Sequence, residues 1–253
     1  MIRRAYFSIF SLALILLLVW TTFIQAGDKP KTLDTDPNLA GWWKFDETSG
    51  KTAADSSKHN RKGTLKEGIS FEQDSTTGRI SKALKFGRGD GYVQITKYKG
   101  VTGTRPRTVA AWCRTKETKG EIISWGFDDF GKMFTFCFIR GRIGIRPNGG
   151  YLYINEETND DKWHHLAAVV EEAELPNLHD DVKLYLDGAP AEIHDIGLLD
   201  LWPIDTGSDL DVTIGDGFKG SIDDVRIYDR ALSEDEINAI FKLQSNKPLP
   251  KSK

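Results

Sequence analysis

Apolar and polar positions exchange with a period of two along most of this chain, in short runs, as strands with one buried face require. The runs cover 41–45 (GWWKF), 82–86 (KALKF), 92–96 (YVQIT), 107–115 (RTVAAWCRT), 121–126 (EIISWG) and 132–139 (KMFTFCFI). Further runs lie at 142–147, 151–155, 162–170, 181–187, 191–195 and 211–215, and the last lies within 217–228 (GFKGSIDDVRIY). Gly, Asn and Asp punctuate them at the spacing of a β-sandwich. Asp187-Gly188 suits the positive φ angles of a two-residue hairpin turn. A period of 3.6 appears once. Ser233 and Glu236 form a capping box, Leu232 and Ile237 a hydrophobic staple, and Ile237, Ile240 and Phe241 share one helix face. The pattern predicts an all-β domain, two antiparallel sheets packed face to face, with one short C-terminal helix.

The last strand raises a question. Asp223 and Asp224 sit side by side within it. Strict alternation turns Asp223 inward with Val225 and Ile227 and leaves Asp224 outside.

The first 26 residues break the pattern: Arg3 and Arg4, a long apolar run, then Ala26 before the polar GDKPK. This is an export signal, or an uncleaved N-terminal anchor, since the apolar run approaches the ~18 residues that span a bilayer. Either reading puts the domain outside the cytoplasm, secreted or in the cell envelope. A polar linker covers 27–38, the sandwich 39–243, and a tail 244–253 has little to bury.

With 39% apolar, 28% charged and 11% aromatic residues the composition is globular. The net charge of −3 becomes −5 once Arg3 and Arg4 are removed, and no basic tract is present. Nucleic acid is therefore not expected as a partner, nor a membrane except through an N-terminal anchor. Cys113 and Cys137 in an exported protein suggest a disulfide. Yet if 107–115, 121–126 and 132–139 form a meander, the outer two strands lie about 9.5 Å apart. That exceeds the ~7 Å limit for bridged Cα atoms, so free buried thiols are expected.

Six motifs in order (GWWKFDETSGKTAADSS, ALKFGRGDGYVQI, TVAAWCRTK, WHHLAAVV, VKLYLDG and GSIDDVRIYDRALSEDEI) resemble the laminin-G-like jelly rolls of the concanavalin A-like lectin/glucanase superfamily. The resemblance runs from Leu39 to Phe241. It implies a jelly-roll sandwich whose last strand lies beside its first. Trp43, Phe45 and Glu47 share a face by alternation, which could bring Glu47 near Asp223. Two such carboxylates need a cation, an Arg or backbone donors. Hard oxygen ligands suit Ca²⁺, and the superfamily's frequent structural calcium is implied here too. The alternative is backbone N–H donors or pairing with Arg226 or Arg230.

Glucanases share the fold, but their E-x-D-x-x-E strand pattern is missing; Glu192 and Asp195 are spaced by three and diverge. His164 and His165 are adjacent and point apart, while His59, His179 and His194 are isolated, so no metal spacing exists. Trp43, Phe45, Trp112 and Trp163 read as core. Trp202, with Phe127 and Phe130, falls instead in polar loops beside Asp128, Asp129 and Asp205. Flat rings beside polar groups are what a sugar-binding rim uses. The competing reading folds 198–203 back as a lid on the core. The sequence thus points to a non-catalytic recognition module, first for carbohydrate, next for a cell-surface protein as an adhesive domain, and least for glycoside hydrolysis.

Overall fold

Two antiparallel sheets lie face to face in a computed structural model that describes residues 32–197 and 202–245. The N-terminal apolar segment falls outside the described residues, as do 198–201 and 246–253. Within the described residues no helix is long and apolar enough to cross a membrane.

The first sheet runs in spatial order Ala189–Pro190, Val182–Leu186, His164–Val170, Arg107–Arg114, Gly220–Tyr228, Lys82–Phe86, Ser75–Thr77. Leu39–Trp43 also pairs with Gly220–Tyr228, so the first strand does lie beside the last. The second sheet runs Ile193–Gly197, Tyr151–Ile154, Arg142–Arg146, Met133–Ile139, Gly120–Gly126, Leu210–Ile214, Val93–Ile95, Gly63–Leu65, Thr52–Ala53. Alternation selects the inner faces. Trp43, Phe86, Val109, Trp125, Phe136 and Ile227 meet in one core between the sheets. Each such side chain contributes roughly 1.5–3 kcal/mol on burial.

A second, smaller apolar layer lies on the outer face of the first sheet. There Trp42, Ala110, Ala167, Tyr185 and Tyr228 meet Leu232, Ile237 and Ile240 at the helix Glu234–Ser245. The capping box closes reciprocally: the Glu236 backbone N–H donates to Ser233 Oγ at 3.3 Å, and the Ser233 N–H donates to Glu236 Oε2 at 2.9 Å. The helix extends past 243. Gln244 is buried, and its neighbour Trp112 donates Nε1–H to Gln244 Oε1 at 2.6 Å. Residues 244 and 245, expected in the tail, thus belong to the helix, because residue 244 has a polar partner to reach. The second half of the expected linker is also docked: Leu33–Thr35 forms a 3₁₀ turn with Leu33 buried.

The strand Gly220–Tyr228 answers the question of its two carboxylates with a bulge. Its register shifts between Asp223 and Arg226, and Asp224 has φ = 53°. Ile222 and Val225 both reach the inner core although three positions apart. Asp223 pairs with Trp112, and directly paired residues share a face. Trp112 lies outside, stacked on Phe241 of the helix with ring centres 5.7 Å apart. Both carboxylates therefore face outward, and the expectation that Asp223 points into the core is corrected: a bulge inserts one residue and resets the alternation. The same place is a handover. Residues 220–222 pair with Lys82–Phe86, and residues 225–228 with Leu39–Trp43.

Three further expectations are revised. Phe45 has φ = 57°, so the extended run ends before Glu47 and alternation no longer relates Glu47 to Trp43. Cys113 and Cys137 are free and buried, but the meander does not form: Arg107–Arg114 belongs to one sheet and Met133–Ile139 to the other. Trp163 is half-buried rather than core, and Trp112 is buried beneath the helix rather than between the sheets.

Candidate functional site

One end of the sandwich gathers most of its exposed apolar side chains. Phe127 and Phe130 lie in the turn between Gly120–Gly126 and Met133–Ile139, and Trp202 in the segment leading to Leu210–Ile214. Phe130 and Trp202 stack nearly parallel, ring centres 5.3 Å apart at 15°, with 54% and 44% of their surfaces exposed. Trp202 therefore rests on another exposed ring. Ile204, two residues on and 1% exposed, is the one that plugs the core.

Hydrogen bonds fix this platform from beneath. Asp205 N–H donates to the Gly131 carbonyl at 3.0 Å, Gly131 N–H to the Asn148 carbonyl at 2.9 Å, and Lys132 forms an ion pair with Asp205. Asp129 accepts the Phe130 N–H at 2.8 Å, and Asp128 accepts the Asn148 side-chain amide at 3.0 Å. Gly149 packs on the Phe130 ring where a Cβ would collide with it. The structure thus brings together all six residues singled out from the sequence. Phe127 joins them through its contact with Gly207.

Sequence reasoning missed the buried support. Arg107, fully buried, donates to the carbonyls of Val101, Gly103 and Arg105 and to Thr206 Oγ1. Burial lowers its pKa to about 9, so it remains a cation at neutral pH held by neutral acceptors. It ties the 101–106 loop to the segment carrying Trp202. Its only sequence signal is an Arg opening an apolar strand.

From the platform a polar groove continues over the outer face of the second sheet, lined by Asp128, Asn148, Thr135, Tyr151, Arg146 and Glu121. Register explains the set: Thr135 lies opposite Arg146, and Cys137 opposite Glu121, all on the face away from the core. Burial raises the Glu121 carboxyl pKa, although Arg146 approaches it at 3.4 Å.

The two residues expected to hold calcium lie differently. Asp223 is buried in a cleft between the helix and the sheet, lined also by Asp46, Asp224, Trp42, Lys44 and Gln244. Its Oδ2 accepts the Ile80 N–H at 2.8 Å, while Oδ1 is buried with no partner among the described residues. Burial pushes its pKa well above the usual carboxylate range, against the pull of the Ile80 and Arg79 N–H groups. Gly78 lets the loop close on it; a Cβ there would lie 2.6 Å from Oδ2. Asp224 takes the polar partners instead: Trp42 Nε1–H, the Gln244 amide, and Arg226 at 3.1 Å. Glu47 does not line this cleft. Its Oε1 accepts the Ala54 N–H at 2.6 Å. No three His, Cys, Asp or Glu side chains cluster for a metal among the described residues. The orphaned Oδ1 of Asp223 is a hard oxygen of the kind Ca²⁺ takes as ligand.

His164 sits between Asp187 (3.0 Å) and Asp160 (3.1 Å), which raise its pKa, Asp187 foremost. His165 is buried against Trp112, and burial lowers its pKa to about 4. The two rings diverge as expected and share no ligand position.

Fold and site together define a lectin-type β-sandwich. Residues 87–238 match a laminin-G family model of the concanavalin A-like lectin/glucanases superfamily, and the chain belongs to that family. Among solved structures it is similar to domain 4 of AbnA, a GH43 extracellular arabinanase from Geobacillus stearothermophilus, in complex with arabinotriose. That match has a TM-score of 0.59 at 18% identity and covers 80% of this chain and 98% of that one. It is also similar to the binding domain of Paraclostridial Mosquitocidal Protein 1 (TM-score 0.56, 18% identity, covering 83% and 53%). A third is a botulinum neurotoxin type C structure whose cell entry depends on two ganglioside molecules (TM-score 0.51, 14% identity, covering 79% and 52%). The chain spans about half the length of the toxin chains. At these identities the likeness shows the fold. No curated protein matches the chain.

Proposed function

We propose that this domain is a non-catalytic carbohydrate-recognition module working outside the cytoplasm. The observation that carries the reading is the Phe130–Trp202 pair, half-exposed, stacked, and opening onto a polar groove. An apolar pyranose face stacks on such rings while hydroxyls reach Asn148, Arg146 and Glu121. The arabinotriose complex of the AbnA domain supports the ligand class without fixing the site. Both groove carboxylates are already engaged, Glu121 by Arg146 and Asp128 by Asn148, which suits binding better than proton transfer. Calcium at Asp223 Oδ1 belongs to the same proposal, as a stabiliser remote from the ligand.

A second reading rests on a specific observation. Leu175 and Leu210 are exposed at the same end, since Pro176 accepts the Ile204 N–H and Leu210 pairs with Gly126. An apolar patch of this kind also fits an adhesive contact with a cell-surface protein.

A glycan array with wild type, Trp202→Ala and Phe130→Ala separates the two. Carbohydrate binding lost in both variants, with Tm within about 2–4 °C of wild type, supports the first reading, because an exposed aromatic pair contributes only about 1 kcal/mol. Wild type silent across neutral and acidic glycans overturns it and leaves the adhesive reading.

A further inference from the structure

The first sheet carries a second groove, on the opposite side of the sandwich from the aromatic platform and independent of it. Five cationic and three anionic side chains line it, in a chain whose net charge is −3. Register places the cations in a row. Lys85 lies opposite Ser221, and Ser221 lies opposite Arg114, so the three share the outer face across three adjacent strands. At about 4.8 Å per strand the Lys85 and Arg114 stems are roughly 9.5 Å apart. Lys219, two residues before Ser221, joins that face, its Cβ 3.3 Å from where a Cβ at Gly87 would stand.

The cations divide into two kinds. Arg88 is held by buried Asp74 at 2.9 Å, and Arg114 and Lys116 share Asp161 at 3.0 and 3.4 Å. Lys85 and Lys219 have no carboxylate partner among the described residues, and both are exposed. Hydroxyls of Ser221 and Thr76 and the backbone at Gly87 and Gly220 complete the lining. Among the described residues the one aromatic in the lining, Phe86, is buried in the core and offers no face to stack a base. Two ammonium groups without a carboxylate partner, flanking a hydroxyl, match oxyanions repeated along a polymer.

We propose that this groove binds an acidic polysaccharide, through sulfate esters or uronate carboxylates, with Lys85 and Lys219 as the principal contacts. Nucleic acid fits less well, because the described residues present no aromatic ring on this face to stack its bases.

The test measures binding of dextran sulfate, polygalacturonate, unsubstituted dextran and a single-stranded oligonucleotide to the whole chain at low salt. Wild type is expected to bind one or both acidic polysaccharides, and the two arms tell sulfate from carboxylate. The Lys85→Ala/Lys219→Ala double variant should lose at least about tenfold with unchanged Tm, as exposed surface substitutions leave stability nearly alone. Raising salt should weaken wild-type binding, since exposed charges are screened within a Debye length. Trp202→Ala should not affect it, which separates this site from the platform. Binding that survives the double substitution overturns the proposal, as does binding to dextran as tight as to its sulfate, a wild type that binds neither acidic polymer, or tighter binding of the oligonucleotide.

Discussion

Asp223 shows how one side chain can govern stability through its protonation. Its folded pKa is raised by burial above the ordinary value of 3.8. A carboxyl with a raised folded pKa favours the native state when protonated. Its cost therefore grows as pH rises above the unfolded value and is complete above the folded one. Without calcium, raising pH from about 5 to 8 should lower the Tm of wild type relative to Asp223→Asn. Calcium at a hundred times its dissociation constant adds about 2.7 kcal/mol to the native state. Thermal melts of both proteins, with calcium and with chelator, check this. A wild-type Tm indifferent to metal removes calcium from the cleft. The position of Asp223 was only half legible in the sequence. Two acids between Ile222 and Val225 stretch the apolar spacing from two to three, which is a bulge signal, but a strict period of two reads it as an inward carboxylate.

Among elements, the C-terminal helix was the most legible, because its cap, staple and apolar face are local. What the sequence hides is its long-range clamp. Arg230 joins Glu236 in the helix (2.7 Å) to Asp36 before the first strand (2.5 Å). Ser233→Ala should cost about 1 kcal/mol, a typical cap loss. Arg230→Ala should cost more, roughly 2–3 kcal/mol, because the nearly buried Asp36 loses its cationic partner, though Arg230 itself keeps some solvent contact. Chemical denaturation of the two variants checks the order; equal costs would mean that the Arg230 bridge adds nothing to the cap. The long strands were legible for the same reason as the helix, being periodic. Thr52–Ala53, Gly63–Leu65, Ser75–Thr77 and Ala189–Pro190 are too short to show a period and exist because a neighbouring strand offers hydrogen bonds. At the candidate site the loop aromatics stood out against polar neighbours. Arg107 and the groove face did not, since both depend on which strands become neighbours.

Across the whole molecule the two thiols act as reporters placed on different layers. Cys113 faces the core between the sheets, and Cys137 lies on the outer face of the second sheet beside Glu121. Burial raises both pKa values, that of Cys137 to about 12, so neither presents a thiolate at neutral pH. Maleimide should label neither in the native protein and both after denaturation without reductant. Mass spectrometry counts the adducts; native labelling of Cys137 alone would mean that the second sheet opens locally while the core stays closed.

The handover within Gly220–Tyr228 has a consequence for the order of events during synthesis. This strand, the last of the sandwich to be made, is not added at an edge. It lies in the middle of its sheet and touches strands that begin at residues 39, 82 and 107. Until it emerges, those three have no common neighbour, and Arg107–Arg114 and Lys82–Phe86 have only His164–Val170 and Ser75–Thr77 beside them in the sheet. A nascent chain ending before residue 220 should therefore remain without a cooperative core, and the loop-closure entropy of its most distant pairings falls due all at once. Folding then waits for this strand, and the completed domain arrives as a single event.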